Sequence, residues 1–259
     1  MTVMPSRYTG RETPALDGLR EVSHALGPLL GRVVFIGGAI APLLQTRPVS
    51  ERVRPTNDVD GVAVTTSYAD FDNLQTQLRH LGFIHRGTKA DQIGHAHRWT
   101  TPRGGLFDLV PAGDHLGASG SRWDRLTRDR SVDLDIAKDH SPSLVIRHAD
   151  APSFLMLKWA AFTDRGEDDF HGSHDVEDIF AVMASRPSLS SECEQVKEPE
   201  IRAVLTQMAR TLFADKNDFG DLLAGHIKLD VKGDVKVVYQ MVTETVRALA
   251  ALDRLPNTE

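Results

Sequence analysis

The chain has a single cysteine, Cys193, among its 259 residues. One thiol can form neither an internal disulfide nor a multi-cysteine zinc site, and it permits a reducing cytosol. Long apolar runs are also missing. A stretch such as VVFIGGAIAPLL is broken by glycine and proline and is too short to span a bilayer. The first ten residues, MTVMPSRYTG, have no apolar core of signal-peptide length. There is no surplus of positive charge: 30 Lys+Arg stand against 36 Asp+Glu, a net charge of −6 with a pI near 6.0. That balance argues against coating nucleic acid through bulk charge, while leaving a local basic patch open. No internal repeat or low-complexity tract is present. The expectation is a cytoplasmic protein without membrane contact, large enough for one large domain or two ordinary ones.

Apolar residues make up 41% of the chain and charged residues 25%, so it has the material for a packed core. Thr13-Pro14 reads as a cap with proline at the first helical position. Leu16, Leu19, Val22 and Leu26 then recur at helical spacing up to a stop at Gly27-Pro28. The run 33–36 is a buried strand leaving through Gly37-Gly38, and a short helix over 39–45 follows. Strands are expected at 59–64, 83–87, 97–101, 106–110, 131–136 and 144–146. A helix is expected over 68–81, with Phe71, Leu74 and Leu78 on one face. Pro102-Arg103-Gly104-Gly105 turns 97–101 into 106–110 as a hairpin. Near residue 150 the patterns become helical, with candidates at 153–162, 174–183, about 201–212 and a long one over 235–252. The fold class is therefore α+β over residues 1–150, a mixed sheet with flanking helices, followed by an all-helical domain over 151–259.

The chemistry concentrates in Gly37-Gly38 and in Arg54-Pro55-Thr56-Asn57-Asp58-Val59-Asp60. Side chains alternate along a strand, so Asp58 and Asp60 share a face. Two such carboxylates repel unless a cation separates them, and a pair of this kind suits Mg²⁺ with phosphate oxygens completing its shell. A third carboxylate, Asp108, sits inside the apolar strand Leu106-Phe107-Asp108-Leu109-Val110, where a charge needs a partner. If the two strands are neighbours, the three acids converge into a two-metal arrangement for phosphoryl-type displacement. Gly37-Gly38, leading from a strand into a helix, lets the backbone approach a polyphosphate. Taken singly, Gly-Gly is ordinarily a turn and Asp-x-Asp a solvated strand end; their joint order is what carries information.

That order resembles the nucleotidyltransferase superfamily of DNA polymerase β and the kanamycin and minimal nucleotidyltransferases. The resemblance implies Gly37 and Gly38 for triphosphate binding and Asp58, Asp60 and Asp108 for two Mg²⁺ ions, with an NTP as substrate. Ala39 stands where serine is usual. Arg54, Thr56, Asp58 and Asp60 are similar to the first motif of the AbiEii-type toxin nucleotidyltransferases, which adds Arg54 and Thr56 to the nucleotide site. A later motif of that subgroup is similar to Lys158, Asp164-Arg165 and Asp175-Val176-Glu177-Asp178, with His174 in place of the usual base. It implies that Lys158 serves the cleft as a triphosphate-facing cation, held by Asp175 or Asp178. The implied activity is transfer of NMP to an acceptor hydroxyl, on an RNA 3′ end or a protein side chain. The implied setting is a toxin–antitoxin or phage-defence system with a cognate antitoxin. The alternative is a catalytically silent fold of this type acting as a binding or regulatory partner.

Other features allow plainer readings. Lys158 sits at the edge of the face formed by Phe154, Leu157 and Ala161, where a lysine ordinarily snorkels to water. Asp175 and Asp178 are one turn apart and can simply complement a helix N-terminus capped by Ser173. The histidines His85, His95, His97, His115, His171 and His174 could include a transition-metal site, but scattered histidines are ordinarily surface residues. Arg98, Arg103, Arg122, Arg125, Arg128 and Arg130 around Trp123 could meet RNA by phosphate contact and stacking. The simpler expectation is a solvated charged loop balanced by Asp124 and Asp129.

Overall fold

A computed structural model describes residues 5–49, 55–86, 97–112, 121–165, 169–214, 218–227 and 235–254. The chain divides into two compact units: Met1–Pro42 with Arg54–Asp150, and Leu43–Val53 with Ala151–Glu259.

The first unit contains β1 (Ser6–Arg7), α1 (Pro14–Leu26), β2 (Val33–Ile36), β3 (Asp58–Val64), α3 (Tyr68–His80), β4 (Ile84–His85), β5 (Arg98–Thr100), β6 (Leu106–Ala112), α4 (Ser121–Asp129), β7 (Val132–Asp135) and β8 (Val145–His148). The short α2 (Ala41–Leu44) lies where the chain passes to the second unit. The strands form one eight-stranded mixed sheet in the order β1-β7-β8-β2-β3-β6-β5-β4. Pairs β1/β7, β2/β8 and β3/β6 are parallel and the others antiparallel.

Local chemistry accounts for most boundaries. Thr13 accepts from the Leu16 amide at 3.2 Å and Pro14 opens α1, whose Leu16, Leu19, Val22 and Leu26 are buried. Ser67 caps α3 by accepting from Asp70 N at 3.1 Å. The β5–β6 hairpin turns at 102–105, where Gly104 takes φ +96° and donates to Thr101 O.

The two faces of β3 differ. Val59, Gly61 and Ala63 are buried on one face, and α1 lies close to Val59 at Gly18. On that face Trp99 and Phe107 oppose each other across the hairpin, and Arg79 of α3 stacks 5.4 Å from the Trp99 ring. The other face carries Asp58 and Asp60, then a small apolar cluster of Val34, Ile36, Val62, Val64 and Val110.

The segment 121–129 is helical, which corrects the expectation of a charged loop. Its inward side holds Asp124 and Thr127, both buried, and α4 packs on β6 and β3. A helix that buries polar residues shows no apolar periodicity, so the pattern was hidden. Three of the arginines nearby are engaged in ion pairs. Arg130 pairs with Asp150 at 2.6 Å, Arg128 with Asp129 at 2.7 Å, and Arg98 is engaged elsewhere; the Arg122 side chain lies outside the described residues.

The second unit contains α5 (Ala151–Asp164), α6 (His174–Ser185), α7 (Leu189–Glu194), α8 (Pro199–Leu212), α9 (Phe219–His226) and α10 (Val235–Ala250). Helix α5 packs on α6 and α8, and α10 on α8 and α6. An aromatic group of Trp159, Phe162 and Phe170, with Phe162–Phe170 centroids 4.8 Å apart, fills one end of α5. Residues 43–49 join this unit through hydrogen bonds: Arg47 N donates to Ser185 O at 2.7 Å, and the Arg186 guanidinium Nη1 donates to Leu44 O at 3.0 Å. Among the described residues, no helix is long and apolar enough to cross a membrane.

Burial pushes the Asp124 carboxyl up to about 7 from 3.8. The folded state therefore keeps a proton that the unfolded chain releases above its lower pKa. Stability is unpenalised below about pH 4, falls as the pH rises toward 7, and levels off above that. Asp124→Asn removes this dependence. Unfolding free energies of parent and variant from urea titrations should diverge between about pH 4 and 7 in the variant's favour, at roughly 1.4 kcal/mol per pH unit inside the window. Parallel profiles would mean that the carboxyl is solvated.

Candidate active site

In the parallel register of β3 and β6, Asp60 lies directly opposite Asp108 and Asp58 opposite Leu106. Strands in a sheet are about 4.8 Å apart, and paired residues point to the same face. The backbone thus sets Asp58, Asp60 and Asp108 on one face at one end of two neighbouring central strands. The apolar cluster continues the same face beyond them, so the acids stand at the border of a low-dielectric floor.

Strand β2 ends beside this trio. Ile36 is paired with Asp60, and the next residue, Gly37, takes φ +73°. A Cβ at position 37 would lie 2.0 Å from Asp60 Oδ2. Gly37 is therefore required twice, by its backbone angle and by the carboxylate against it. Gly38 opens a single turn, Gly38–Ile40, that runs into α2.

The residue that sequence reasoning misplaced is Arg98. The hairpin register sets it opposite Asp108. Its Nε donates to Asp108 Oδ1 at 2.8 Å and its Nη2 to Asp108 Oδ2 at 2.5 Å, a two-pronged pair; Nη2 also reaches Asp58 Oδ2 at 2.9 Å. The hydrogen bond to Asp108, followed by the charges of Asp108, Asp58 and Asp60, holds the guanidinium pKa above its ordinary value. The signal was available in the sequence, because the turn at 102–105 fixes which residues face each other across the hairpin.

Thr56 belongs to the same site through a carboxylate. Its hydroxyl donates to Asp58 Oδ1 at 3.2 Å. Arg54 lies outside the described residues, as do His95 and His115.

The acids fit a divalent cation by chemistry and by backbone placement: hard carboxylate oxygens on adjacent strands of one face. As the side chains stand, two of them close on Arg98. Among the described residues, no three His, Cys, Asp or Glu side chains are gathered as a ready-made metal cage, histidines included.

In the second unit, Lys158 does not snorkel. Its side chain is 11% exposed and is held by Asp175 at 3.1 Å and Asp178 at 2.7 Å, each of those 6% exposed. Arg165, largely exposed, closes on the other oxygen of Asp175 at 2.5 Å. Both aspartates hold the lysine, so the choice between them dissolves. Helix α5 is buried almost all round, which turns the expected edge of its apolar face inward. Ser173 does cap α6, accepting from Val176 N at 3.4 Å.

Two substitutions test these geometries. Lys158→Met leaves two buried carboxylates without their main counter-ion and should cost about 3–5 kcal/mol in urea unfolding, against under 0.5 for a solvated surface lysine. Gly37→Ala should cost about 1–3 kcal/mol, because the methyl must displace Asp60 in a left-handed backbone. A variant as stable as the parent would contradict the contact.

No family model matches the sequence, and no curated protein matches it. Two solved structures are similar over nearly the whole chain. JHP933 from Helicobacter pylori is 14% identical with a TM-score of 0.44, over 94% of this chain and 95% of that one. An H. pylori protein named as a candidate nucleotidyltransferase is 13% identical with a TM-score of 0.43, over 96% of this chain and 100% of that one. Similarity this distant decides nothing about chemistry, which has to be argued from the site.

Proposed function

We propose that the chain is a Mg²⁺-dependent nucleotidyltransferase that moves NMP from an NTP to an acceptor hydroxyl and releases pyrophosphate. One observation carries the reading: Asp60 and Asp108 oppose each other on adjacent strands, with Asp58 on the same face and Gly37 pressed against Asp60. Gly37-Gly38 carries the backbone from β2 into the Gly38–Ile40 turn, whose N–H groups would receive the polyphosphate in this reading. Thr56 fixes the orientation of Asp58. Asp108, as the third carboxylate, takes the proton of the acceptor hydroxyl. Bound by these acids, Mg²⁺ supplies neutralisation of charge on the triphosphate and activation of the acceptor.

Lys158, held between Asp175 and Asp178 inside the helical unit, is assigned no contact with the triphosphate in this reading. An RNA 3′ end or a protein side chain is the favoured acceptor, in the setting of a toxin with a cognate antitoxin or of phage defence.

A second reading has one observation in its favour. Arg98 already satisfies Asp58 and Asp108, as a silent scaffold used only for binding would require. Melting with Mg²⁺ and each NTP separates the two, since a ligand bound only by the folded state raises the melting temperature by mass action. The active reading requires that shift.

Incubation with each α-³²P-labelled NTP and total RNA or cell extract should label one acceptor class. Asp60→Ala should lower the rate by about 10²-fold or more, comparable to removing one preorganised electrostatic group. Its melting temperature in EDTA should hold. Parent-level labelling by this variant would end the proposal, and early melting would make Asp60 a structural residue.

A further inference from the structure

Resting on the nucleotidyltransferase reading, we propose that Arg98 is an exchangeable internal counter-ion that competes with the divalent metal for Asp58 and Asp108. It would thereby make metal binding depend on nucleotide.

The argument starts from charge. Carboxylates on adjacent strands of one face repel, and the cost of that repulsion is lowered by any cation placed among them. Arg98 is such a cation, and its planar fork matches both oxygens of Asp108 while one nitrogen is shared with Asp58. A divalent ion bound by the same oxygens must displace at least one of these bonds. The displacement is feasible because the site is half open: the side chains of Arg98, Asp108 and Asp58 are 23%, 24% and 34% exposed, so the released guanidinium can be hydrated.

A metal arriving alone strands the guanidinium without an anion. A metal arriving with a polyphosphate brings the anion along, and Arg98 exchanges a carboxylate for phosphate oxygens. Free metal should therefore bind weakly, and metal and nucleotide should bind cooperatively. Such coupling is reciprocal, so nucleotide without metal should bind weakly as well.

The test is Mn²⁺ binding, read by electron paramagnetic resonance of the free ion in the full chain, with and without each α,β-methylene NTP. Arg98→Met should bind Mn²⁺ about tenfold or more tightly than the parent without nucleotide, and should lose most of the gain that the analogue confers on the parent. Arg98→Lys keeps one charge but not the fork and should fall between them. It provides the measurement if the methionine variant fails to fold. A purely structural arginine would not raise metal affinity when removed. Equal Mn²⁺ affinity in parent and variants would overturn the role of Arg98 and leave the metal site standing. No Mn²⁺ binding by any of the proteins, with or without analogue, would remove the carboxylate metal site itself, and this inference with it.

Discussion

Like charges brought together on one sheet face are the constraint around which the first unit is arranged. The parallel register of β3 and β6 opposes Asp60 to Asp108, and something cationic has to stand near them. The β5–β6 hairpin supplies it, because a turn centred on 102–105 brings Arg98 across from Asp108. Alternation then follows from the same register. With Arg98 on the acidic face, Trp99 must point to the other face, where it meets Phe107 and Arg79 of α3. A one-residue slip of this hairpin would bury the arginine and expose the tryptophan, so the core and the charged site enforce a single register.

The neighbouring strand has a similar double duty. β2 is buried through Val33, Val34 and Phe35 and cannot shift without loss of core. Its exit is thereby fixed next to Asp60, and the chain turns away through a positive φ that only glycine adopts without strain. The apolar patch of Val34, Ile36, Val62, Val64 and Val110 on the same face limits water beside the acids on that side. Electrostatic interactions at such a border are stronger than in bulk water, which sharpens both the repulsion and the value of a cation.

Much of this was legible in the sequence. The bounds of β2, the Thr13 cap of α1, the hairpin turn and the sharing of a face by Asp58 and Asp60 all rest on local rules of period and turn chemistry, and those rules operate within a few residues. That Asp108 needs a partner follows from its apolar strand, whereas the adjacency of that strand to β3 is implied only by the resemblance. What escaped was of two kinds. Helix α4 turns Asp124 and Thr127 inward, α7 offers only Leu189 and Cys193 to the core, and α9 carries two glycines, so none displays apolar periodicity. The partners of Arg98 and Lys158 depend on tertiary pairing. A charged residue in a sequence is ambiguous between solvent and ion pair until its opposite number is known, and composition favours the solvent reading.

The two ion clusters obey the same electrostatics and yet suit different tasks. Lys158 with Asp175 and Asp178 is nearly removed from water. Breaking such a pair leaves a buried charge that costs several kcal/mol, so the cluster behaves as a fixed part of the helical unit. Arg98 with Asp58 and Asp108 keeps about a quarter to a third of each side chain in solvent, so charges released from this cluster are rehydrated at lower cost than those of the lysine cluster. Rearranging them is correspondingly cheap. A site that must accept and release charged ligands has to be built from the second kind of pair, because its charges must find other partners at little cost. The carboxylate face of the sheet satisfies that requirement and the lysine cluster does not, which makes the sheet the place where exchange of ions and phosphates is physically easy.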